Sequence, residues 1–493
     1  MEELVLFFEN YKKVCNAYTL ALSTLYFDKS TIHLSKGVSY RNDMISILAG
    51  EAFEYQTNKE SLAKLEELYS VARDDLKKEL KYYLRSLEMI RKLPKEVYVR
   101  YNKTLSDAEE AWMNAREHND YSLFKDALRH NIEMQKEILT YMDKDCSDYD
   151  YLLNKYQLGM NSEIYDEFFN QVKTHLLPLI KEIAEKGTID NSLMSSYCPI
   201  DKQKQLNEIL MDYLLVDRDE CYLGESQHPF TEFFSVHESR ITTRYHENNM
   251  ISNVFSLIHE YGHALYGLQI DEKYEGTIFR DDIGCAMHES QSRFLENHIG
   301  RNKGFWEYNY PALQKYAEFL KDVSLDDYMK MINVSKPSFI RTEADELTYP
   351  IHVLIRYEIE KEIFNGNVNY DDLETLWNDK YEEYLGIRPS CSNEGILQDI
   401  HWAMGNYGYF PTYALGSAMS AQFYNAICKE MDVEKVLANN EFDKIRDWLK
   451  VNIHRYGAYY TMDDVLNIAT GEPFDSKYYI EYLTTKYKQI YNL

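Results

Sequence analysis

The sequence predicts a mainly α-helical protein with a large core. Its 493 residues include only 19 glycines and 10 prolines, so turn signals are sparse and long helices are the natural interpretation. Hydrophobic residues make up 45% of the chain, which is enough to bury a sizeable core. Helical stretches rich in charge, leucine and tyrosine fill residues 1–225. We expect one domain over 1–493, with a helical N-terminal part (1–225), the functional motifs (226–415) and C-terminal helices (416–493).

The net charge argues against two classes of binding partner, and the cysteines indicate the cellular location. Lysine and arginine total 54 against 81 aspartates and glutamates, a net charge of −27 that argues against nucleic acid or an anionic membrane as partner. The seven cysteines are scattered and form no CxxC pair, which is typical of reduced thiols. The acidic N-terminus has an apolar run too short for a signal peptide or a membrane span. We therefore expect a cytoplasmic protein.

A strand is predicted where the composition changes after His228-Pro229-Phe230. Residues 238–245 alternate polar and apolar side chains and are rich in threonine and tyrosine. Lying just ahead of the helix discussed next, this strand either pairs at its edge with an extended peptide or forms a small structural hairpin.

Residues 259–263 read HEYGH, an HExxH motif. Four residues advance an α-helix by about 400°, so His259 and His263 point the same way, one turn apart, and can bind one metal ion. Glu260 lies about 100° further round, where it can reach a metal-bound water without binding the metal. The motif predicts a zinc hydrolase in which Glu260 is the general base.

The residues around the motif favour a buried helix. They are apolar around much of its circumference, so two imidazoles and a carboxylate would lie inside the protein, where a divalent cation suits all three. The alternative is a core helix whose histidines bond to backbone carbonyls. The apolar positions are Met250, Ile251, Val254, Phe255, Leu257, Ile258, Ala264, Leu265 and Leu268.

A catalytic zinc site needs a third protein ligand and an open fourth position for water. Residues 269–284 read as a loop, and helical spacing resumes from Cys285 to Ile299 with Glu289 in its polar stripe. Spacing alone does not exclude His288, Asp282 or Glu275, and a helical Glu near Arg293 is also a common surface ion pair.

Six sequence blocks resemble, in their order, those of the thermostable metallocarboxypeptidases typified by carboxypeptidase Taq. The resemblance covers nearly the whole chain. The family's HPF, DxRxT, HExxH, HESQSR, IRxxAD and GxxQDxHW elements correspond to 228–230, 238–242, 259–263, 288–293, 340–345 and 395–402.

The resemblance implies a single, almost entirely helical catalytic domain with a deep substrate groove, while the strand at 238–245 predicts a small sheet beside the HExxH helix. It implies a homodimer that removes C-terminal residues from peptides with zinc, or with Co²⁺ or another divalent ion. It assigns Glu289 as the third ligand. Two departures stand out, since Glu238 replaces the family's Asp and Phe27 its Trp.

Two further side chains are candidates for stabilising the oxyanion of peptide hydrolysis. His401 and Tyr409 are hydrogen-bond donors in a segment rich in glycine and aromatic residues, where the backbone can approach a substrate closely. Ordinary aromatic packing is the alternative interpretation of this segment.

Three arginines are candidates for holding a terminal carboxylate. Arg240 and Arg341 belong to the DxRxT and IRxxAD elements, whose arginines are associated in the family with limiting substrate length. Arg356 lies in an otherwise apolar helix, where it binds substrate or pairs with Glu360 four residues on.

Two other functions compete with a carboxypeptidase. Helical endo-oligopeptidases and dipeptidyl carboxypeptidases also combine HExxH with a later Glu. The IRxxAD and GxxQDxHW elements favour a carboxypeptidase that removes single residues over these enzymes. A non-catalytic metal-binding scaffold would not require Glu260, and a structural zinc site usually closes its fourth position with a protein ligand.

Overall fold

The structure, a computed structural model, describes residues 1–32, 34–187, 189–280 and 284–493 and is mainly α-helical, as predicted. Among these residues no helix is long and apolar enough to cross a membrane. In chain order the first helices are α1 (Glu2–Thr31), α2 (Val38–Thr57), α3 (Lys59–Val71), α4 (Asp74–Ser86), α5 (Glu88–Lys92), α6 (Lys95–His118), α7 (Ser122–Leu139), α8 (Asp148–Tyr156), α9 (Ser162–Lys186), α10 (Ile200–Tyr213) and α11 (Met250–Leu268). They are followed by α12 (Cys285–Arg293), α13 (Lys303–Tyr316), α14 (Leu325–Ile332), α15 (Tyr349–Phe364), α16 (Leu373–Leu385), α17 (Pro411–Glu430), α18 (Val433–Ala438), α19 (Phe442–Asn452), α20 (Met462–Thr470) and α21 (Lys477–Tyr491).

A small sheet of three strands precedes α11. The strands are β1 (Cys221–Glu225), β2 (Thr231–Ser235) and β3 (Glu238–Thr243), in the spatial order β1-β3-β2. β1 pairs in parallel with β3, and β2 pairs antiparallel with it, with a register shift between Phe233 and Ser235. The small sheet beside the HExxH helix is confirmed, since β2 and β3 pack against α11.

One prediction about this sheet is wrong. The strand predicted at 238–245 is β3, and β3 is the central strand, hydrogen-bonded on both sides. It has no unpaired edge that could add an extended peptide as a new strand. The structure agrees with the alternative, a small structural hairpin, because β2 and β3 form an antiparallel pair.

Two compact units can be separated by their residue contacts. The first contains residues 1–92, 197–282 and 441–460, and therefore the sheet and α11. Within it α1 packs against α2 and α3, and Phe8, Tyr11, Leu65 and Leu80 share one buried cluster. The expectation of a single domain over 1–493 stays a prediction.

The second unit contains residues 93–196, 283–440 and 461–493. Its most extensive helix pair is α12 with α17, and α15 packs against α8, α9, α16 and α17. The helix predicted from Cys285 to Ile299 is present, as α12 continued by a π-helical stretch, Phe294–Gly300.

Candidate active site

α11 carries the HExxH motif on a helix whose rotation is fixed by burial. The side chain of Asn249 accepts a hydrogen bond from the backbone N–H of Ser252 and caps the N-terminus. The imidazoles of His259 and His263 are half-buried, with ring centroids 5.0 Å apart. The helix therefore presents both rings on one face, as the spacing predicts. The side chains that bury the rest of the helix include Val254, Leu257, Ile258, Ala264 and Leu265.

Glu260 is buried, and Thr231 orients its carboxylate. The hydroxyl of Thr231, on β2, donates to Glu260 Oε2 at 2.6 Å, and the Thr231 hydroxyl oxygen also lies 3.0 Å from the backbone carbonyl oxygen of Glu260. A charge-assisted bond of this length restricts the carboxylate to one orientation. Thr231 was not predicted as a site residue, although it directly follows the His228-Pro229-Phe230 block.

Glu289 lies in α12 and is buried, so its ion pair is not a surface one. Arg293 donates from Nε to Glu289 Oε1 at 2.7 Å, and the hydroxyl of Ser292 lies 3.4 Å from Oε2. Gly416 of α17 packs directly on this position, because a Cβ there would lie 2.7 Å from Glu289 Cβ and 2.8 Å from the carbonyl oxygen of Ala286. A side chain at position 416 would displace Glu289.

A distant glutamine caps the helix that carries Glu289. The carbonyl oxygen of the Gln157 side chain accepts hydrogen bonds from the backbone N–H groups of Ala286 at 3.1 Å and Met287 at 3.3 Å. Gln157 is fully buried and follows α8. It satisfies two of the N–H groups that the first turn of a helix leaves without intrahelical partners. No local pattern in the sequence signals this contact.

His259, His263 and Glu289 form a group that could hold a metal ion. One ligand atom from each lies within 4.8 Å of the others. Two imidazole nitrogens and one carboxylate oxygen suit zinc, and three protein ligands are the number found in catalytic rather than structural sites. The donor set therefore fits the metal that the sequence predicts.

The structure does not place the other candidates for the third ligand, Glu275, His288 and Asp282, in the metal-binding group of the described residues. Glu275 accepts a hydrogen bond from the backbone N–H of Val236 at 2.8 Å and pairs with Arg280. His288 does not belong to the metal-binding group found among the described residues. Asp282 lies outside those residues.

The structure brings His401 and Tyr409 together. Their ring centroids are 5.4 Å apart, and His401 Nε2 lies 3.3 Å from the hydroxyl of Tyr413. Burial lowers the pKa of His401 to about 4, so its imidazole is neutral at pH 7 and carries one N–H. Burial also raises the pKa of Tyr409 well above its ordinary value, so this phenol keeps its proton. Tyr413 was not predicted as a site residue, although it lies only four positions after Tyr409, in the first turn of α17.

Arg240 is the most exposed of the three candidate arginines, with 28% of its side chain accessible. Its guanidinium pairs with Glu238 through Nε at 2.9 Å and Nη2 at 2.6 Å, and lies over the ring of Phe234 at 4.1 Å. Residues two apart on a strand share a face, which explains the pairing. The carboxylate that replaces the family's Asp thus contacts the arginine of its own block.

Arg341 and Arg356 share one buried carboxylate, that of Asp399. Arg341 donates to Oδ1 through Nε and Nη2, and Arg356 donates to Oδ2 through Nε at 2.7 Å. Their side chains are only 7% and 0% accessible. Although burial alone would raise the pKa of Asp399, the two arginines hold it well below its ordinary value.

Of the two alternatives for Arg356, the pairing with Glu360 is not the one that the structure contains. The guanidinium of Arg356 is occupied by Asp399, by Gln398 Oε1 at 2.8 Å and by the carbonyl of His352 at 2.7 Å. Glu360 accepts hydrogen bonds from other groups, described below. The helical i, i+4 spacing permits a pair but does not require one, and Asp399 binds both arginines at once.

Comparison with known proteins assigns the family. Residues 7–487 match the family model for carboxypeptidase Taq (M32) metallopeptidases. The chain is 39% identical to carboxypeptidase 1 of Bacillus subtilis over 99% of this chain and 98% of that one, and 32% identical to thermostable carboxypeptidase 1 of Thermus thermophilus over 96% of each. The structure of Pyrococcus furiosus carboxypeptidase superposes with a TM-score of 0.94 at 33% identity, covering 99% of both chains.

The match spans the helical fold and all six sequence blocks. Each of these relatives exceeds 30% identity over nearly its full length, so the likeness extends beyond the fold to the class of enzyme. The chain belongs to the carboxypeptidase Taq (M32) family of metallopeptidases and is a metallocarboxypeptidase.

Proposed function

We propose that the protein is a zinc-dependent carboxypeptidase that releases single amino acids from the free C-terminus of peptides. The observation that carries the proposal is the group of two imidazoles and one carboxylate, with a buried second carboxylate, that of Glu260, next to His259 in the chain. His259, His263 and Glu289 would hold the metal. Held by three protein ligands, zinc supplies Lewis acidity and lowers the pKa of a coordinated water from 15.7 to about 7.

Glu260 acts as the base of the reaction. Its carboxylate takes a proton from the attacking water and delivers it to the nitrogen of the leaving amino acid, because an amine leaves readily only when protonated. Thr231 supports this role by holding the carboxylate in one orientation.

His401 and Tyr409 donate hydrogen bonds to the oxyanion that forms on the scissile carbonyl. Both keep a proton at neutral pH, the imidazole because it is neutral with one N–H and the phenol because its pKa is raised. Among the residues that the structure describes, His401 Nδ1 is buried without a hydrogen-bond partner. Donors fixed before the reaction stabilise developing charge without reorganisation.

Arg240 is the arginine whose exposure best supports contact with the peptide. A guanidinium binds a carboxylate through two parallel hydrogen bonds, and Glu238 holds the Arg240 group in place for this. Arg341 and Arg356 have little accessible guanidinium, and both bind Asp399, two positions before His401.

Mass spectrometry of a short peptide incubated with the enzyme tests the proposal. We expect C-terminal residues to leave one at a time, the reaction to stop with a chelator, and zinc to restore it. Amidation of the terminus removes a charge-assisted contact worth roughly 1.5–3 kcal/mol, or ~10- to 100-fold in binding. Internal fragments or dipeptides as first products would instead identify an oligopeptidase or a dipeptidyl carboxypeptidase.

Location and assembly are part of the same proposal. No disulfide joins the seven cysteines, all of which lie in the described part of the chain, and this supports a reducing cytoplasmic location. A homodimer is proposed from the family resemblance. Light scattering after size-exclusion chromatography measures the mass in solution, and a mass equal to that of one 58.5 kDa chain contradicts the dimer.

A further inference from the structure

Glu360, in α15, is a fully buried carboxyl whose partners are hydrogen-bond donors. Trp402 Nε1 donates to Oε1 at 2.7 Å, while the backbone N–H of Gly408 and the hydroxyl of Tyr149 donate to Oε2 at 2.8 and 3.0 Å. Burial raises the pKa of Glu360 to about 7, against the lowering effect of these donors. A buried carboxyl at this position costs free energy unless all of these bonds are made.

Two of these three donors belong to one short segment of chain. Residues 386–410 connect α16 to α17 through successive turns, and within them Trp402 directly follows His401 while Gly408 directly precedes Tyr409. Glu360 therefore binds both ends of the 402–408 loop. Because Trp402 and Gly408 bind the two oxygens of one carboxylate, the two ends of the loop are held close together. His401 and Tyr409 are the residues next to these ends in the chain.

The other contacts of this loop hold it differently. Asn131 donates to the carbonyls of Trp402 and Ala403, and Gln135 donates to the carbonyl of Gly405. These bonds restrain one end and the middle of the loop. Gly408 has φ +85°, and a Cβ on it would lie 2.8 Å from the carbonyl oxygen of Leu152, so the loop rests on the backbone of α8.

We propose that Glu360 is a positioning residue, whose carboxylate joins the neighbours of His401 and Tyr409 and so fixes the separation of those two rings. The inference rests on the proposed function, in which His401 and Tyr409 stabilise the oxyanion. Glu360 itself is buried and does not contact the substrate. Its effect on catalysis is transmitted through Trp402 and Gly408.

The test compares Glu360→Gln with Glu358→Gln. Glutamine keeps the shape of Glu360 but replaces one of its two accepting oxygens with an NH₂ group, so that only one end of the loop keeps its acceptor. Glu358 is a matched control on the same helix, since it pairs with Lys173 and Lys380 and bonds to Tyr384, away from the loop. The measurements are kcat, KM, metal content and deuterium exchange of fragments covering 401–411.

For Glu360→Gln we expect kcat to fall ~10- to 100-fold, the scale that follows from misplacing reacting groups by about 1 Å. KM and metal content should stay within about twofold, and exchange in the fragments covering 401–411 should become faster, because one end of the loop loses its acceptor. Glu358→Gln should alter neither kcat nor the exchange of this segment. If Glu360→Gln does not fold, Trp402→Phe removes one of the three bonds and should produce a smaller change in the same direction.

Several results would overturn the proposal. Unchanged exchange in Glu360→Gln means that the carboxylate does not hold the loop. Faster exchange with unchanged kcat means that the order of the loop does not matter to catalysis. A parallel loss in Glu358→Gln means that the effect is one of general stability. If the wild-type enzyme releases no C-terminal residues, the proposed function fails, and the exchange data still decide whether Glu360 holds the loop.

Discussion

The two regions that carry the functional side chains are fixed in different ways. On α11 the helix itself spaces His259, Glu260 and His263, and one further contact, from Thr231, orients the carboxylate. The segment before α17 has no repeating backbone structure, and it depends on buried side chains of α7, α8 and α15. Side chains on α11 can thus be changed one at a time. A change in the side chains that support the segment before α17 is expected to move His401 and Tyr409 together.

The largest effect is expected from Glu260→Gln, which tests the independence of positions on α11. Loss of a general base lowers kcat by ~10²- to 10⁴-fold. Metal content, measured by elemental analysis, should not change, because the helix still presents both histidines. Loss of the metal in this variant, or an unchanged kcat, would contradict the assignment of Glu260.

Asp399→Asn tests the segment before α17, in which several side chains depend on one another. It leaves two buried guanidinium groups without a counter-charge, so we expect a loss of ~3–5 kcal/mol in the free energy of unfolding, together with lower activity. Because the pKa of Asp399 is lowered in the folded protein, its stabilising contribution is present above pH ~4 and is lost as the pH falls below that.

The control for Asp399 is Asp379→Asn. Asp379 forms an exposed ion pair with Arg388, and such pairs contribute below about 1 kcal/mol. Urea titration of both variants gives the comparison. Equal losses would mean that the buried cluster contributes no more than a surface pair.

Thr231→Val has a smaller expected effect on the α11 region. Valine preserves the shape of threonine but removes the hydrogen bond to Glu260, so we expect kcat to fall about 10-fold with little change in KM. Thr231→Ser keeps the hydroxyl and should retain most of the activity. Equal losses in the two variants would point to packing of the γ-methyl group instead.

The smallest effect concerns the pH dependence of stability. The folded protein binds a proton at His401 less tightly than the unfolded chain does, so stability falls as the pH drops from about 6.5 towards 4. For this one group the loss between pH 7 and pH 5.5 is about 1 kcal/mol. The His401→Gln variant lacks the titrating group. Its free energy of unfolding, measured in urea, should therefore decrease less between pH 7 and pH 5.5 than that of the wild-type protein. An identical decrease would mean that His401 titrates normally.

The sequence predicted the parts of the molecule that depend on local spacing. The helix of the HExxH motif, the helix of Glu289 and the strand at 238–243 all follow from periodicity over a few residues. The family resemblance then selected Glu289 among candidates that spacing had left open. The central place of β3 was not predicted, because strand order depends on which distant strands pair.

The partners of the buried charges could not be predicted in the same way. Arg356 has Glu360 four residues away, yet it binds Asp399, 43 positions along the chain. Thr231 lies 29 positions from Glu260. These hydrogen-bond partners are determined by how whole helices and strands pack together. The order of residue types along the chain does not show that packing.

The cap on α12 has a consequence for how the enzyme is made. Gln157 leaves the ribosome 129 residues before Ala286, and until that residue follows, its buried side-chain oxygen lacks the partners that satisfy it in the native state. α12 and its π-helical continuation together run from Cys285 to Gly300, and a helix of this length takes most of its stability from packing against other parts of the protein. The Glu289 helix therefore forms only as it docks against a part of the chain synthesised long before. A nascent chain acquires its metal-binding ability late, in a step limited by long-range chain closure.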